Sequence, residues 1–519
     1  MPDHLRSWLR ATPVARRAAL LVVAAAFASL FVYLGMRFTR DRPVAYESNV
    51  EHFKYGSTGG ERGVGGLAGV PYLVWQTLPE LFQKYLPRPY DPLRPYAAFG
   101  FIYEPGKDLP VGVSRRNVQG IDRVFVNCAV CHVGTVRDAP QSPRMLYVAM
   151  PANTVDLERF ERFLFDCATD PDFTPERIMA EAERIGVHDD FINRAALRYL
   201  GIYIIRDRLL ALRAKFLPFL DREPHTGPGR VDTFNPPKVL LGFQMDKLPR
   251  KEWVGVTDLP SIWLQRARRD RDMKLHWDGN NTSVEERNRS AAFGTAATPP
   301  TLDRASMKRI ASWLLDAEPP KYPYPIDQAK AARGAAIYAE YCASCHGRNG
   351  RDFDSPSATC ADPRATACVG RVTPIDHVRT DRHRLDSYTF ELAVNQNVLY
   401  AGYGEERFSH FRKTDGYANM PLDGIWLRSP YLHNGSVPTL RALLDPVARR
   451  PWKFRRGYDV FDAERVGYRT DVASENGVEF FEYDTRIPGN GNYGHEGRAY
   501  GTLLSGEDKD ALVEHLKTF

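Results

Sequence analysis

The stretch N-C-A-V-C-H-V-G, Asn127 to Gly134, returns in altered form as Y-C-A-S-C-H-G, Tyr341 to Gly347, and the two units hold four of the seven cysteines in 519 residues. A zinc site needs four ligands and has no requirement for a histidine directly after the second cysteine. A redox dithiol sits in a thioredoxin-like βαβ context and makes no use of that histidine. Covalent c-type haem accounts for every position: two thiols form thioethers with the vinyl groups, and the adjoining histidine ligates iron. The two units therefore predict two covalently bound haems, with His132 and His346 as proximal ligands and Cys128, Cys131, Cys342 and Cys345 as attachment points.

Flanking periodicity agrees. Ala332, Ala336, Ile337 and Tyr341 recur at helical spacing within Ala329 to Tyr341, so a helix is expected to lead into the second unit. Leu504 to Phe519 is expected to close it, with Ser505 as N-cap, Asp508 three residues on, and Leu512, Val513 and Leu516 as the apolar stripe. Ser306 to Leu315 supplies a matching helix for the first unit. The Pro-rich run Pro319 to Pro325 then separates the halves. The expected fold is mainly α, with two domains like class I cytochrome c, long loops and little β. Its expected parts are an N-terminal segment (1–40), a first haem domain (41–318) and a second (319–519).

With 43% hydrophobic, 12% aromatic and 26% charged residues, the chain has ordinary globular composition and the length for two or three cores. The net charge of +6 is spread without a Lys/Arg block, which argues against a nucleic-acid partner. Arg10, Arg16 and Arg17 precede an uncharged run, Ala18 to Met36, followed by Arg37 and Arg40. Basic residues on the N-terminal side direct the downstream chain out of the bacterial cytoplasm. Ala26-Phe27-Ala28 offers a cleavage site, but the apolar run continues to ~20 residues, a spanning length. An uncleaved anchor is the favoured reading, with the body on the periplasmic side of the inner membrane.

Beyond the haem units, the order H-W-D-G (His276 to Gly279), second unit, S-P-Y-L-H-N-G-S-V (Ser429 to Val437) resembles the bacterial dihaem cytochrome c peroxidase and MauG superfamily. H-F-K-Y-G-S at His52, Y-A-A-F-G-F at Tyr96, D-R-V-F-V-N-C-A-V-C-H at Asp122, M-P-A-N-T at Met150, L-P-S-I-W at Leu259 and G-N-G-N-Y-G-H-E at Gly489 are most similar to its rubber-oxygenase, RoxA-like branch. The resemblance implies that the first haem reacts with dioxygen or peroxide, the second passes electrons, and Trp277 lies between them. A packed core aromatic is the competing reading of Trp277. The resemblance further implies a calcium ion between the domains, for which residue spacing identifies no site.

The helix following the P-Y-x-H segment, from Thr439, contains no methionine, histidine or tyrosine to serve as sixth ligand of the second haem. His495, in a glycine-rich loop, resembles the late histidine of the rubber-oxygenase branch and is preferred, with His433 the runner-up. After the first unit, Val133 to Pro151 has no distal histidine. Ser290 to Pro299, where the peroxidases carry a glutamate, has no acid. A peroxidase needs a group to move the peroxide proton, so dioxygen chemistry on a hydrophobic substrate is preferred, with Phe293, His276 and Trp277 lining the site. Peroxide reduction is one alternative. A pure electron carrier, with Met145 or Met150 closing the first haem, is the other. A periplasmic or membrane electron donor is the implied partner. Cys360 and Cys368 read as a disulfide or as two thiols, Cys167 as core, and His377 and His383 as solvent-facing. His52 has no assigned role.

Overall fold

The first helix, α1, spans Pro13–Phe38; Thr12 caps it through Oγ1, and Pro13 sits where its missing N–H costs nothing. None of its residues is buried. Its 26 residues give about 39 Å at 1.5 Å per residue, beyond the ~30 Å of a bilayer's hydrocarbon core. This computed structural model describes residues 12–63, 69–87, 89–348, 350 and 368–519. Helix makes up 45% of it and strand 12%, so the mainly α expectation holds.

From α1 the chain passes directly into an antiparallel sheet. Strands β1 (Asp41–Pro43), β2 (Val70–Pro71), β3 (Val113–Val118) and β4 (Ile121–Val126) lie in the order β1-β3-β4-β2. The two-residue turn Gln119-Gly120, both with positive φ, matches the twist of the β3–β4 hairpin. The sheet delivers the first haem unit from the end of β4. Asn127 bonds Gly56 O through Nδ2 and accepts from Ala129 N, fixing the start of the short helix Ala129–His132.

The first half continues with α2 (Leu157–Thr169), α3 (Ile202–Leu220), α4 (Val284–Gly294) and α5 (Arg304–Asp316). In the second half, α6 (Gln328–Tyr341) enters the second unit, α7 (Phe390–Leu399) follows, and α8 (Gly506–Leu516) closes the chain. Ser505 caps α8 by accepting from Asp508 N, with Leu512, Val513 and Leu516 buried beneath. Gly334 permits the close crossing of α6 and α8, since a Cβ there would stand 2.0 Å from Ala511 O.

One core cluster crosses residue 319: Phe53, Ile310 and Leu314 pack in the same cluster as Tyr338, Trp426 and Leu512. The Pro-rich segment is part of it. Pro320 O accepts from Trp426 Nε1, and Tyr322 donates to Ala463 O. Proline run and linker therefore part company here: the tyrosines between the prolines are half-buried against this core, and the segment packs as structure.

Candidate functional site

At the first unit, His132 Nδ1–H donates to Pro260 O at 3.0 Å. A backbone carbonyl can only accept, so this bond fixes the tautomer with the Nε2 lone pair free for a metal. Burial, and secondarily the charge of Arg287, push the ring down to about 4, which keeps it in the neutral form a ligand needs. Beside Cys128, Cys131 and His132 opens a cavity of about 710 Å³, toward the upper end of the ~300–1,000 Å³ usual for ligand sites.

Its walls come from distant segments. Leu157, Phe160 and Leu164 of α2 and Leu209, Leu212 and Phe216 of α3 form one side. An aromatic chain forms another: His276 stacks on Phe411 (6.4 Å between centroids), Phe411 meets Phe408 (5.2 Å), Phe408 meets Phe293 (5.6 Å), and Phe293 meets Tyr400 (4.8 Å). His276 is tied by Nδ1 to Asn280 Oδ1 at 2.6 Å. Arg287 also faces the cavity with a buried Nη2 that has no partner, and burial lowers its guanidinium to about 10. A buried unpaired guanidinium costs free energy unless an anion meets it. Two thiols, an iron-ready imidazole, an apolar slot and an orphaned cation fit a haem with a propionate on Arg287.

Trp277 lines the same cavity on one side and packs against Ile375, Leu385, Tyr417 and Val378 on the other. Its Nε1 donates to Asp258 O at 2.8 Å. Met145 and Met150 do not line the cavity: both belong to the shared core, Met150 fully buried there. Sequence reasoning missed Glu161, which does line it. Burial, then the charge of Glu158, push its carboxyl up to about 8. The signal was present: Leu157, Glu161, Leu164 and Phe165 recur at i, i+4, i+7 and i+8, which puts an acid on an apolar helical stripe.

At the second unit, His346 Nδ1–H donates to Met420 O at 2.7 Å, again leaving Nε2 free. His495 shares this neighbourhood: burial, then the proximity of His346, push its ring down to about 3. Its Nδ1 is buried without a partner. The loop carrying it is held by others. Arg450 donates to the carbonyls of Asn492, Gly494 and His495, and Asn434 Nδ2 to those of Gly489 and Gly491. Gly494, at φ +78°, passes so close to Arg379 that a Cβ would lie 2.3 Å from its carbonyl carbon. His495 N donates to Val378 O, so the surroundings of Trp277 run on to this loop.

His433 lies beneath the loop and is otherwise engaged: it stacks on Tyr417 at 4.0 Å and pairs with the Tyr417 hydroxyl through Nε2. His383, expected in solvent, is half-buried; its Nδ1–H donates to Asp381 Oδ1 at 2.8 Å. His377 is exposed. His52 pairs with Ser306 Oγ at 2.8 Å, docking the helix Asn49–Tyr55, between β1 and β2, onto α5. Cys167 is fully buried. Cys368 is buried and disulfide-bonded, whereas Cys360 lies outside the described residues. No group of three His, Cys, Asp or Glu side chains suited to a metal ion occurs among the described residues.

Comparison with known proteins bears on this geometry at two places. Residues 329–378, spanning the second unit, match the family model of cbb3-type cytochrome c oxidase subunit III. Residues 416–455 match the RoxA-like, cytochrome c-like model. Residues 329–378 and 416–455 are therefore cytochrome c-like, and domains of this kind carry covalently bound c-type haem and act in electron transfer or other redox chemistry. Two uncharacterised proteins of Sinorhizobium fredii are similar to the chain. One, y4iM, is 30% identical over 299 residues, 55% of this chain and 66% of its own length. The other, y4iJ, is 30% identical over 254 residues, 38% of this chain and 41% of its own. The chain thus spans less than two thirds of each.

Proposed function

We propose that this chain is a membrane-anchored, periplasm-facing dihaem oxidoreductase that uses dioxygen on a hydrophobic substrate. Its reactive haem is on Cys128, Cys131 and His132; an electron-exchanging haem on Cys342, Cys345 and His346 is closed by His495. The carrying observation is the cavity of about 710 Å³ beside His132, walled mainly by apolar side chains, leucine and aromatic residues prominent among them. When bound, the haems supply iron for oxygen activation and for electron exchange. The chain's own groups do the rest. Pro260 O and Met420 O orient the proximal imidazoles, and Arg287 offers a propionate its partner. Phe293, Phe408 and Phe411 exclude water and hold an apolar substrate. The order of motifs shared with the dihaem peroxidases and MauG supports the division of labour, and the likeness to an oxidase subunit supports a redox role for the second unit. The absence of Met145 and Met150 from the cavity wall weighs against the pure carrier. Oxygen uptake that requires an unsaturated apolar compound, and stops with its saturated analogue, tests the reading; uptake indifferent to both would sink it.

Trp277 supports an electron route between the haems. Replacing it with Ala is expected to slow reduction of one haem by the other after flash reduction, with both absorption spectra retained. An unchanged rate would assign Trp277 to packing.

Glu161 favours peroxide reduction as a second reading. With its carboxyl raised to about 8, it keeps a proton at neutral pH and loses it as pH rises through 8. Peroxidase turnover relying on that proton is present below pH 8 and falls above it. Glu161→Gln is expected to cost ~10²-fold or more, the usual worth of a positioned acid, and to abolish the alkaline limb. Steady-state rates from pH 6 to 9 check this; a limb that persists in the variant assigns it to another group.

A further inference from the structure

The chain from Phe191 to Leu220 is helical throughout, with one wide turn at Leu197–Gly201. Leu197, Ile202 and Leu209 point inward to the core. The opposite face is apolar too: Phe191 is 84% exposed, Tyr199 74% and Leu200 61%, joined by Tyr203 and Ile204. A water-facing helix normally carries polar residues there. This face also begins where α1 ends. Arg37, in the last turn of α1, donates to Asp190 Oδ2 and Asn193 Oδ1, both at 2.5 Å, and Asp190 is the N-cap of Phe191–Ala196. Asn193 Nδ2 bonds Gly120 O, and Gln119 N bonds Arg40 O, so the end of α1, the β3–β4 turn and the exposed face are one joined block. From Phe191 to Leu220 the sequence is basic, with Arg194, Arg198, Arg206, Arg208, Arg213 and Lys215 against Asp207, and Asp189 and Asp190 just before it. Arg194 pairs with Glu183 and Arg206 with the carbonyls of Ala168 and Asp170, which leaves Arg198, Arg208, Arg213 and Lys215 for the surface.

We propose that Phe191, Tyr199, Leu200, Tyr203 and Ile204 seat in the headgroup layer of the same bilayer that α1 crosses, with the surrounding arginines on anionic phospholipid. The proposal rests on the anchor reading of α1. Apolar side chains with interfacial tyrosines and a basic surround suit that layer, and continuity with the end of α1 names lipid over any other occupant. Leu209, Leu212 and Phe216 of the same helix line the cavity, so the seated face comes within about 8 Å of the cavity wall along one axis, Ile204 to Leu209, at 1.5 Å per residue.

The test uses the full chain reconstituted in phosphatidylcholine–phosphatidylglycerol vesicles and spin-labelled singly through Leu200→Cys, Val23→Cys or Glu507→Cys. Collisions with oxygen report lipid, and collisions with a water-soluble nickel chelate report solvent. The expected result is oxygen dominance at positions 200 and 23 and nickel dominance at 507. Nickel dominance at 200 with oxygen dominance at 23 overturns the proposal and leaves the anchor standing. If 23 is itself in water, the anchor reading fails and the seat, which rests on it, is overturned with it. Dipolar broadening at 200 would reveal a second copy on this face and overturn it as well.

Discussion

Carbon monoxide is expected to bind one haem per chain in the dithionite-reduced protein, and His495→Ala to raise the count to two. The ligand needs a free axial position. His132 faces a cavity into which no other histidine except His276 projects, and His276 is held through Nδ1 by Asn280. At the second unit His495 is close enough to His346 to feel its charge and its Nδ1 has no partner, so it is the residue that would hold the second iron's other face. Removing that imidazole opens the iron without dismantling the loop, because Arg450 and Asn434 grip backbone carbonyls and not the ring. His495→Gly serves as a second variant, since glycine suits the backbone there, at φ +46°. His433→Ala is the control: it forfeits the bond to Tyr417 and leaves the count at one. No binding in the parent protein would mean two closed haems and an electron carrier. Two per chain before any substitution would remove His495 from the second iron.

What the sequence made legible was local. Cys-x-x-Cys-His is contiguous, so its chemistry is readable without a fold. The cap of α8 depends on residues three positions apart, Ser505 and Asp508, and it forms as the pattern indicates. His495 was nominated by a resemblance, and its loop is built from a run of glycines that itself marks close approach. The cavity was not legible, because its walls join 157–165, 209–216, 287–297 and 396–411, segments that no periodicity relates. Phe293 stood out only through the text around it, while Phe408 and Phe411 carried no mark at all. The four-stranded sheet escaped notice for a related reason: β2 is two residues long and pairs β4 across more than fifty positions. Treating Pro319 to Pro325 as a separator gave proline more weight than the tyrosines between, which pack against Trp426 and Phe461.

That shared core makes Asp423→Ala the substitution with the largest expected loss of stability. Asp423 is fully buried and accepts from Arg268 Nη2 at 2.7 and 3.0 Å, and it pairs with Arg428 Nη2 at 2.8 Å. Arg268 comes from the first half and Asp423 from the second. Deleting a carboxylate of this kind strands buried cations, which typically costs 3–5 kcal/mol. Each arginine keeps carbonyl partners, Trp263 O for Arg268 and Pro421 O for Arg428, so the loss is expected at the lower end, about 3 kcal/mol. Arg266 and Asp316 make the same two-bond pair at 2.7 and 2.6 Å in solvent. Water already screens that pair, so Asp316→Ala is expected to leave the midpoint in place. Urea unfolding of the holoprotein, followed by far-ultraviolet dichroism and by haem absorption, separates the cases. An Asp423→Ala midpoint equal to the parent's would mean the two guanidiniums find anions elsewhere, the haem propionates first, because both arginines border the cavity. Because Phe53, Leu314, Tyr338 and Leu512 bury together, the variant is expected to lose both haem environments in one transition; two separated transitions would mean that each half folds on a core of its own.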